Sequence, residues 1–255
     1  MLSIILPLRN AQPYIIKCLD SIKNQTFKSW KLYIVDDAST DNSYLIARNY
    51  LTINLPSKKY LLIKNKVQIG ITKSLNYLIN VSNSKYLARV DADDVNHPLR
   101  FEKQMKVIKS NKNLDVVGTA AVIIDNNDNV IKTQIMPETD VLIKKNLLKK
   151  NCFFHSSVII KRDFLLKNNL YNENYINGQD YDLWLRGSKN SYYYNLKEPL
   201  IYYRRNYNNF SIVKLKCYFL IRFNNIKKKK FFFLFYILIL NLFIEIYKYL
   251  KGKFN

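Results

Sequence analysis

Short apolar runs alternate with segments of helical periodicity through the first hundred residues, and this alternation constrains the fold more than any other feature. Each run has the length of a buried strand, and apolar residues then recur at three- or four-residue spacing. Strands that alternate with helices in this way predict a mostly parallel sheet covered by helices on both faces. The predicted strands are residues 3–6, 31–35, 60–63 and 86–90.

The helical segments between these strands carry apolar residues on one face. Pro13 opens the first helix, because the N–H that proline lacks has no partner in a first turn. The residues expected to face the core are Ile15, Ile16, Leu19 and Ile22 in this helix, and Ile71, Leu75, Leu78 and Ile79 in the helix at 70–79.

Two predicted strands end in clusters of carboxylates. Asp36 and Asp37 follow the second strand, and Asp91, Asp93 and Asp94 follow the fourth. Ligands bind outside the carboxyl ends of strands in open parallel sheets, so these distant segments are expected to meet at one site. Carboxylates this close repel each other unless a cation lies between them, and hard oxygen ligands suit Mg²⁺ or Mn²⁺. If the fourth strand continues through its acids, Asp91 and Asp93 point to the same face.

The second acidic cluster has an alternative interpretation as a solvated turn that caps the helix beginning near Pro98. The absence of two common nucleotide-binding motifs limits the kinds of ligand site that the strand ends could form. No Gly-x-Gly-x-x-Gly follows the first strand and no Gly-x-x-x-x-Gly-Lys-Ser/Thr occurs, which disfavours dinucleotide and P-loop folds. The remaining prediction is a mononucleotide site in which Asp36 accepts from a base or ribose, while Asp91 and Asp93 hold a metal on a diphosphate.

Five segments resemble the family 2 glycosyltransferases, which are inverting enzymes of the GT-A fold that use nucleotide-activated sugars. The segments occur in the family's order and spacing and together cover about residues 1–205. They are Ser-Ile-Ile-Leu-Pro-Leu-Arg-Asn at 3–10, Ile-Val-Asp-Asp-Ala-Ser-Thr-Asp-Asn-Ser at 34–43, Gly-Ile-Thr-Lys-Ser-Leu-Asn at 70–76, Asp-Ala-Asp-Asp at 91–94 with Pro98 and Arg100, and Gly-Gln-Asp-Tyr-Asp-Leu-Trp-Leu-Arg at 178–186.

The resemblance implies roles for the matching residues. Asp91 and Asp93 correspond to the family's Asp-x-Asp, which contacts the ribose and coordinates Mn²⁺ or Mg²⁺ on the diphosphate, and Asp36 is expected to contact the base. Asp180 falls at the catalytic base. This chain has Gln179 where the family usually has Glu, and losing that charge should make Asp180 easier to ionise. The implied nucleotide-binding residues are Pro7, Leu8, Arg9, Asn10, Asp36, Asp37 and Asp91.

The chemistry of inverting transfer agrees with these residue types. An acceptor hydroxyl attacks the anomeric carbon in line while the nucleoside diphosphate departs, so a carboxylate must take the proton and a metal must stabilise the leaving group. In similar proteins a histidine at the position of His155 lies near the active site, which predicts contact with a phosphate or the acceptor. The alternative is a core histidine satisfied by backbone groups. His155 is expected at the start of a strand.

Charge and cysteine usage bear on the partners and the compartment of the protein. The chain has 41 Lys and Arg residues against 19 Asp and Glu, which gives a net charge of +22. Such a charge suits anionic ligands or lipid, although part of the lysine excess resembles the compositional drift of an AT-rich genome. Three scattered cysteines without a Cys-x-x-Cys pair fit a reduced cytosolic compartment. Met1 to Pro7 lacks a basic leading region and breaks too early for a signal peptide.

Three regions are predicted. Residues 1–100 form the nucleotide-sugar half and 101–205 the acceptor half, the latter with a strand at 114–124, a turn at 125–129 and a helix at 141–148. Residues 206–255 form a helical tail, in which four lysines at 227–230 precede an apolar stretch at 231–244. A helix that crosses a membrane needs ~20 apolar residues, and this stretch is shorter. The sequence therefore favours a helix that lies on an anionic membrane over a buried helix or a single membrane-spanning helix.

The resulting hypothesis is a metal-dependent glycosyltransferase on the inner face of the cell membrane. It would use a nucleotide-sugar donor, with UDP expected, and a glycan or lipid-linked acceptor of lipopolysaccharide, capsule or O-antigen, without a nucleic-acid partner. Two alternatives remain open. The first is a sugar nucleotidyltransferase, which requires a Gly-rich loop after the first strand that this chain lacks. The second is a non-catalytic basic protein that binds anionic lipid or nucleic acid, which would leave the clustered acids unexplained.

Overall fold

The first half of the chain builds the parallel part of a mixed sheet. The computed structural model describes residues 1–205 and Ile221, and these residues form a nine-stranded sheet flanked by helices. The elements of the first half are β1 (Leu2–Leu8), α1 (Ile15–Lys23), β2 (Trp30–Asp36), α2 (Ser43–Asn54), β3 (Tyr60–Lys64), α3 (Ile71–Val81), β4 (Tyr86–Arg89), β5 (Val95–Asn96) and α4 (Arg100–Ser110).

The second half continues the same sheet with mixed strand directions. Its elements are β6 (Leu114–Ile124), β7 (Val130–Gln134), α5 (Asp140–Leu147), β8 (Ile159–Lys161), α6 (Arg162–Lys167), α7 (Gln179–Gly187) and β9 (Tyr192–Arg204). The strand order is β3-β2-β1-β4-β8-β6-β9-β5, with β7 on β6. β8 is antiparallel to β4 and β6, whereas β6 and β9 are parallel. Both predicted halves therefore contribute strands to one sheet.

The register of β1 with its two neighbours sets the position of the site. Leu8 at the end of β1 lies opposite Asp36 at the end of β2. On the other side, Ile5 lies opposite Arg89, the last residue of β4. All three strands run in one direction, so their carboxyl ends open on one edge of the sheet, where ligands bind in such folds. The loops that carry most of the predicted site residues converge at this edge.

Helices cover both faces of the sheet, and the alternation of side chains along β1 divides the core between them. Ile4 and Leu6 belong to the cluster that includes α1 and α4, whereas Ile5 belongs to the cluster that includes α3 and α7. Fully burying an aliphatic or aromatic side chain contributes about 1.5–3 kcal/mol. On the second face, Phe153 and Trp184 have ring centroids 5.2 Å apart. Tyr193 of β9 donates from its hydroxyl to the backbone oxygen of Trp184 at 2.8 Å, which fixes α7 against the sheet.

Two local predictions were wrong. Ile16 is 48% exposed, and Cys18 is buried beside Ile15, because a helix turns by 100° per residue and carries the neighbour of an inward residue towards solvent. β4 ends at Arg89 and residues 91–94 form a turn, so the side chains of the acidic motif do not follow the alternation of a strand. The turn releases the acids from the sheet and lets all three gather.

No helix within residues 1–205 or at Ile221 has both the length and the apolar character needed to cross a bilayer. The predicted basic and aromatic tail, residues 206–255, lies outside the described residues except for Ile221. That side chain is buried and belongs to the cluster on the α3 and α7 face.

Candidate active site

A cleft of about 560 Å³ opens at the carboxyl ends of β1, β2 and β4. Its other walls are residues 68–74, before and within α3, together with Glu173 and Tyr175. Asp36, His155 and Asp180 are not among its lining residues. The predicted site residues that line the cleft are Pro7, Leu8, Arg9, Asn10, Asp37, Asp91 and Asp93.

The acidic turn after β4 brings three carboxylates together. Asp91, Asp93 and Asp94 each offer an oxygen, and these oxygens lie within 4.8 Å of one another. Burial, and then the charge of Asp91, raise the pKa of Asp93 to about 6. Burial, and then the charges of Asp93 and Asp91, raise the pKa of Asp94 well above its usual range. The turn therefore holds negative charge at an energetic cost.

These residues fit a divalent cation. Three carboxylate oxygens are the hard ligands that Mg²⁺ and Mn²⁺ prefer, and a cation among them would relieve the repulsion that raises the pKa values of Asp93 and Asp94. Arg89, only 2% exposed, forms an ion pair with Asp91. Burial alone would lower the pKa of Arg89, but the charge of Asp91 raises it, so the guanidinium stays charged beneath the cluster.

Asp37 organises the opposite wall of the cleft. Its carboxylate accepts hydrogen bonds from Asn65 Nδ2 at 2.9 Å, Ile69 N at 2.8 Å and Gly70 N at 2.8 Å. Gly70 has a φ of 90°, a conformation that disfavours other residues, and α3 begins immediately after it. Arg9 Nη1 donates to the backbone oxygen of Asp37 at 3.0 Å. The Asp37 side chain therefore shapes the cleft by holding a loop.

Asp36 lies beneath this surface. It is fully buried, and its carboxylate accepts hydrogen bonds from the hydroxyl and, at 3.2 Å, from the backbone N–H of Ser39. The loop that follows is joined to the end of β1, because Asn10 Oδ1 accepts from Thr40 N at 2.9 Å. A direct contact between Asp36 and a base, as the resemblance implies, stays a prediction.

Asp180 lies in the first turn of α7. Its side chain is 8% exposed, and Asn151 Nδ2 donates to Oδ2 at 2.6 Å. Burial raises the pKa of Asp180, while the hydrogen bond from Asn151 opposes the rise. Gly178 precedes the helix with a φ of 77°, a left-handed conformation that turns the chain into α7. Asn151 thus holds the carboxylate in one orientation from a distant segment.

His155 does not begin a strand, and the partner found for its ring is a side chain. It lies in a short 3₁₀ turn, His155–Ser157, and β8 begins only at Ile159, so the prediction that it starts a strand was wrong. Its Nε2 lies 2.8 Å from the hydroxyl of Tyr171, a side chain rather than a backbone group. Burial and the nearby charge of Arg89 lower its pKa well below the usual range, which keeps the ring neutral. Its predicted contact with a phosphate or acceptor stays a prediction.

Three side chains that support the site carry little signal in the sequence. Arg89 pairs with Asp91, Asn151 holds Asp180, and Arg204 contacts the acidic turn from the end of β9. Arg89 lies two residues before the motif, and a charged residue inside an otherwise apolar strand was the one available signal. Asn151 and Arg204 come from segments whose spacing relates them to no motif.

A family model and several curated relatives match this chain. Residues 3–171 match the model of Glycosyl transferase family 2. The chain is 34% identical over 213 residues to the O-antigen biosynthesis glycosyltransferase WbnJ of Escherichia coli. The match covers 80% of this chain and 79% of WbnJ. The chain spans 66% and 44% of the length of two further curated relatives.

Two solved structures share the fold. TarS 1-349 of S. aureus in complex with UDP-GlcNAc superposes with a TM-score of 0.69 at 19% identity, covering 86% of this chain and 65% of TarS 1-349. The mannosyltransferase PcManGT of Pyrobaculum calidifontis in complex with GDP-Man and Mn²⁺ superposes with a TM-score of 0.59 at 18% identity, covering 78% of this chain and 54% of that one. The likeness supports the GT-A fold that the sequence predicted.

Proposed function

Because the chain belongs to Glycosyl transferase family 2, we propose that it transfers a sugar from a nucleoside-diphosphate sugar, with UDP the expected nucleotide, to a glycan or lipid-linked glycan with inversion. The observation that carries this proposal is the convergence of the β1 loop, the Asp37 loop and the acidic turn on one cleft. The cleft volume of about 560 Å³ falls in the range of about 300–1,000 Å³ typical of small-molecule sites.

The donor side of the reaction is assigned to the loops at the ends of β1, β2 and β4. Asp91, Asp93 and Asp94 would hold Mn²⁺ or Mg²⁺, which would neutralise charge on the departing diphosphate. The loop after β1 lies on the same cleft, where Arg9 offers a positive side chain and Asn10 is held in place by Ser39 and Thr40. Its attachment to the Asp37 loop gives the nucleotide pocket a fixed shape.

The acceptor side is assigned to the start of α7. Asp180 would take the proton of the attacking hydroxyl. Burial raises the pKa of its carboxyl towards that of an effective base, and Asn151 Nδ2 holds Oδ2 in one orientation. Its surface exposure of 8% leaves an approach for an acceptor that binds beside Glu173 and Tyr175. Water excluded from this buried position would not compete for the sugar.

Similar proteins support the biological setting of the proposal. WbnJ is named for O-antigen biosynthesis, and the TarS structure holds UDP-GlcNAc, which favours a UDP-sugar donor and a cell-surface polysaccharide product. PcManGT holds Mn²⁺ with its donor, which favours a metal at the acidic turn. Family membership also favours this reading over a sugar nucleotidyltransferase or a non-catalytic basic protein.

Association with the inner face of an anionic membrane completes the proposal, and it rests on sequence alone. The lysines at 227–230 lie beside the apolar stretch at 231–244, a combination that attracts a segment to anionic lipid. A chain ending at Arg205, just after β9, should lose binding to anionic liposomes that the full chain retains. Equal binding by both would contradict this part of the proposal.

The catalytic assignment is tested with Asp180→Asn. Transfer from UDP-GlcNAc, UDP-glucose and UDP-galactose to a lipid-linked glycan extract is measured together with UDP affinity. Loss of a general base should reduce turnover by about 10²–10⁴-fold with UDP affinity unchanged. Asp163→Asn, on the exposed surface of α6, is the matched control and should keep wild-type turnover. Wild-type turnover by Asp180→Asn would refute the assignment.

A further inference from the structure

Arg204, the last residue of β9, joins two parts of the site that lie far apart in sequence. Its backbone N–H donates to Asp94 Oδ1 at 2.8 Å, and its Nε donates to the backbone oxygen of Asp93 at 3.0 Å. Its two terminal nitrogens reach the β6–β7 turn, one to the backbone oxygen of Asp125 and the other to the carboxylate of Asp128. Arg204 is only 6% exposed, so these contacts are made away from bulk water.

The turn between β6 and β7 is a built structure rather than a loose connection. Asp125 Oδ1 accepts from the backbone N–H groups of Asn127 at 2.8 Å and Asn129 at 2.9 Å. Lys17 of α1 forms a second ion pair with Asp128. Asn126 at the tip of the turn lines the cleft, so the β6–β7 turn forms part of its wall.

The chemistry of an arginine suits this bridge. Its planar guanidinium presents donors in a fixed fork, so one side chain holds several oxygens at defined angles, which a lysine ammonium does not. The guanidinium also lies 4.3 Å from the ring centroid of Tyr14, which lines the cleft. Its positive charge opposes the rise in the pKa of Asp93 that burial and Asp91 cause.

We propose that Arg204 is a positioning residue that sets the geometry of the acidic turn and docks the β6–β7 turn on the cleft as a fixed wall. It acts through Asp93 and Asp94 and does not itself touch the reacting atoms. The proposal rests on the proposed function, because it assumes that these carboxylates hold a divalent cation. It also predicts a structural effect on the β6–β7 turn, which does not depend on that assumption.

The test compares Arg204→Gln and Arg204→Lys with Arg205→Gln, which changes the exposed neighbour in the same way. Mn²⁺ affinity is measured by electron paramagnetic resonance at saturating UDP. Hydrogen exchange of the peptide covering residues 124–130 reports the turn in the metal-free protein. Melting temperatures show that each variant is folded.

Arg204→Gln is expected to weaken Mn²⁺ binding by about 10-fold or more, the effect of losing a group that orients metal ligands, and to speed exchange in residues 124–130. Exchange in the loop at residues 65–70, which Asp37 holds, should stay unchanged, which a general loss of structure would not allow. Arg204→Lys, which keeps the charge but not the fork, should be intermediate in both measurements. If Arg204→Gln fails to fold, Arg204→Lys carries the same two tests.

Three results would overturn the proposal. Wild-type Mn²⁺ affinity in folded Arg204→Gln would remove the role at the acidic turn, and wild-type exchange would remove the role at the β6–β7 turn. Equal effects in Arg205→Gln would make both changes nonspecific. If the wild-type protein itself binds no Mn²⁺, the proposed function fails together with the role at the acidic turn. The exchange measurement would then decide the docking of the β6–β7 turn separately.

Discussion

Asp93→Asn is expected to stabilise the metal-free protein while it removes the metal site. Burial and the charge of Asp91 raise the pKa of Asp93 from its ordinary value of 3.8 to about 6. Each pKa unit corresponds to about 1.4 kcal/mol, so ionising Asp93 costs the folded state about 3 kcal/mol in the absence of a cation. Because Asp93 keeps part of its surface in water, we expect the neutral amide to raise the free energy of unfolding by about 1–3 kcal/mol at pH 8.

The effect has a defined pH window. The folded carboxyl binds its proton more tightly than the unfolded one, so the stability of the metal-free wild type rises as the pH falls through about 6. The gain from Asp93→Asn is therefore complete above about pH 6, declines between about pH 6 and pH 4, and is nearly absent below about pH 4. Mn²⁺ acts in the opposite direction, because a saturating concentration should stabilise the wild type and leave the stability of Asp93→Asn unchanged.

Urea denaturation in the presence of EDTA measures this difference at pH 8, 5 and 4. Asp163→Asn on exposed α6 is the control and should change the free energy of unfolding by no more than about 0.5 kcal/mol at any of these pH values. A variant Asp93→Asn that is less stable than wild type at pH 8 would refute the reasoning, as would a gain that does not depend on pH.

Two further substitutions test the packing around the site. Asp37→Ala leaves the N–H groups of the 65–70 loop without their acceptor and should lower the free energy of unfolding by about 2–4 kcal/mol. The reason is that each hydrogen bond to a charged group contributes about 1.5–3 kcal/mol. Denaturation curves check this, and an unchanged midpoint would contradict it. Gly118→Ala places a Cβ 2.2 Å from Asn195 Oδ1, and overpacking of this kind costs about 1–3 kcal/mol. Asn195 Nδ2 already donates to two backbone oxygens and has little freedom to move, so a melting temperature equal to wild type would show that the site relaxes.

The sequence predicted most of the fold because the fold depends on local periodicity. Strand β6 was predicted at its observed bounds, Leu114–Ile124, and the helix at 141–148 differs from α5 by one residue at each end. The errors arose where local rules compete. Ile16 looked inward from its spacing to Leu19, yet the helix presents Cys18 instead. Pairing directions in the second half depend on contacts between distant residues, which periodicity does not report.

The candidate site was predicted in part for the same reason. Strand ends are readable from sequence, so Asp37, Asp91 and Asp93 were placed at one edge of the sheet, and they line one cleft. The position of a residue in a motif does not reveal whether its carboxylate already accepts hydrogen bonds within the protein. The burial of Asp36 against Ser39 was therefore not predicted. Supporting residues are harder still, because a buried side chain such as Arg204 is recognised only by what surrounds it.

Nucleotide binding tests the central claim most directly. Calorimetry with UDP, GDP, CDP and dTDP, each with and without Mn²⁺, is run on the wild type and on Asp93→Ala. We predict that one nucleotide, expected to be UDP, binds the wild type in a Mn²⁺-dependent way and that Asp93→Ala loses the metal-dependent part. Binding of none of the four nucleotides, or equal Mn²⁺-dependent binding by Asp93→Ala, would contradict the assignment of the cleft as a nucleotide-sugar site.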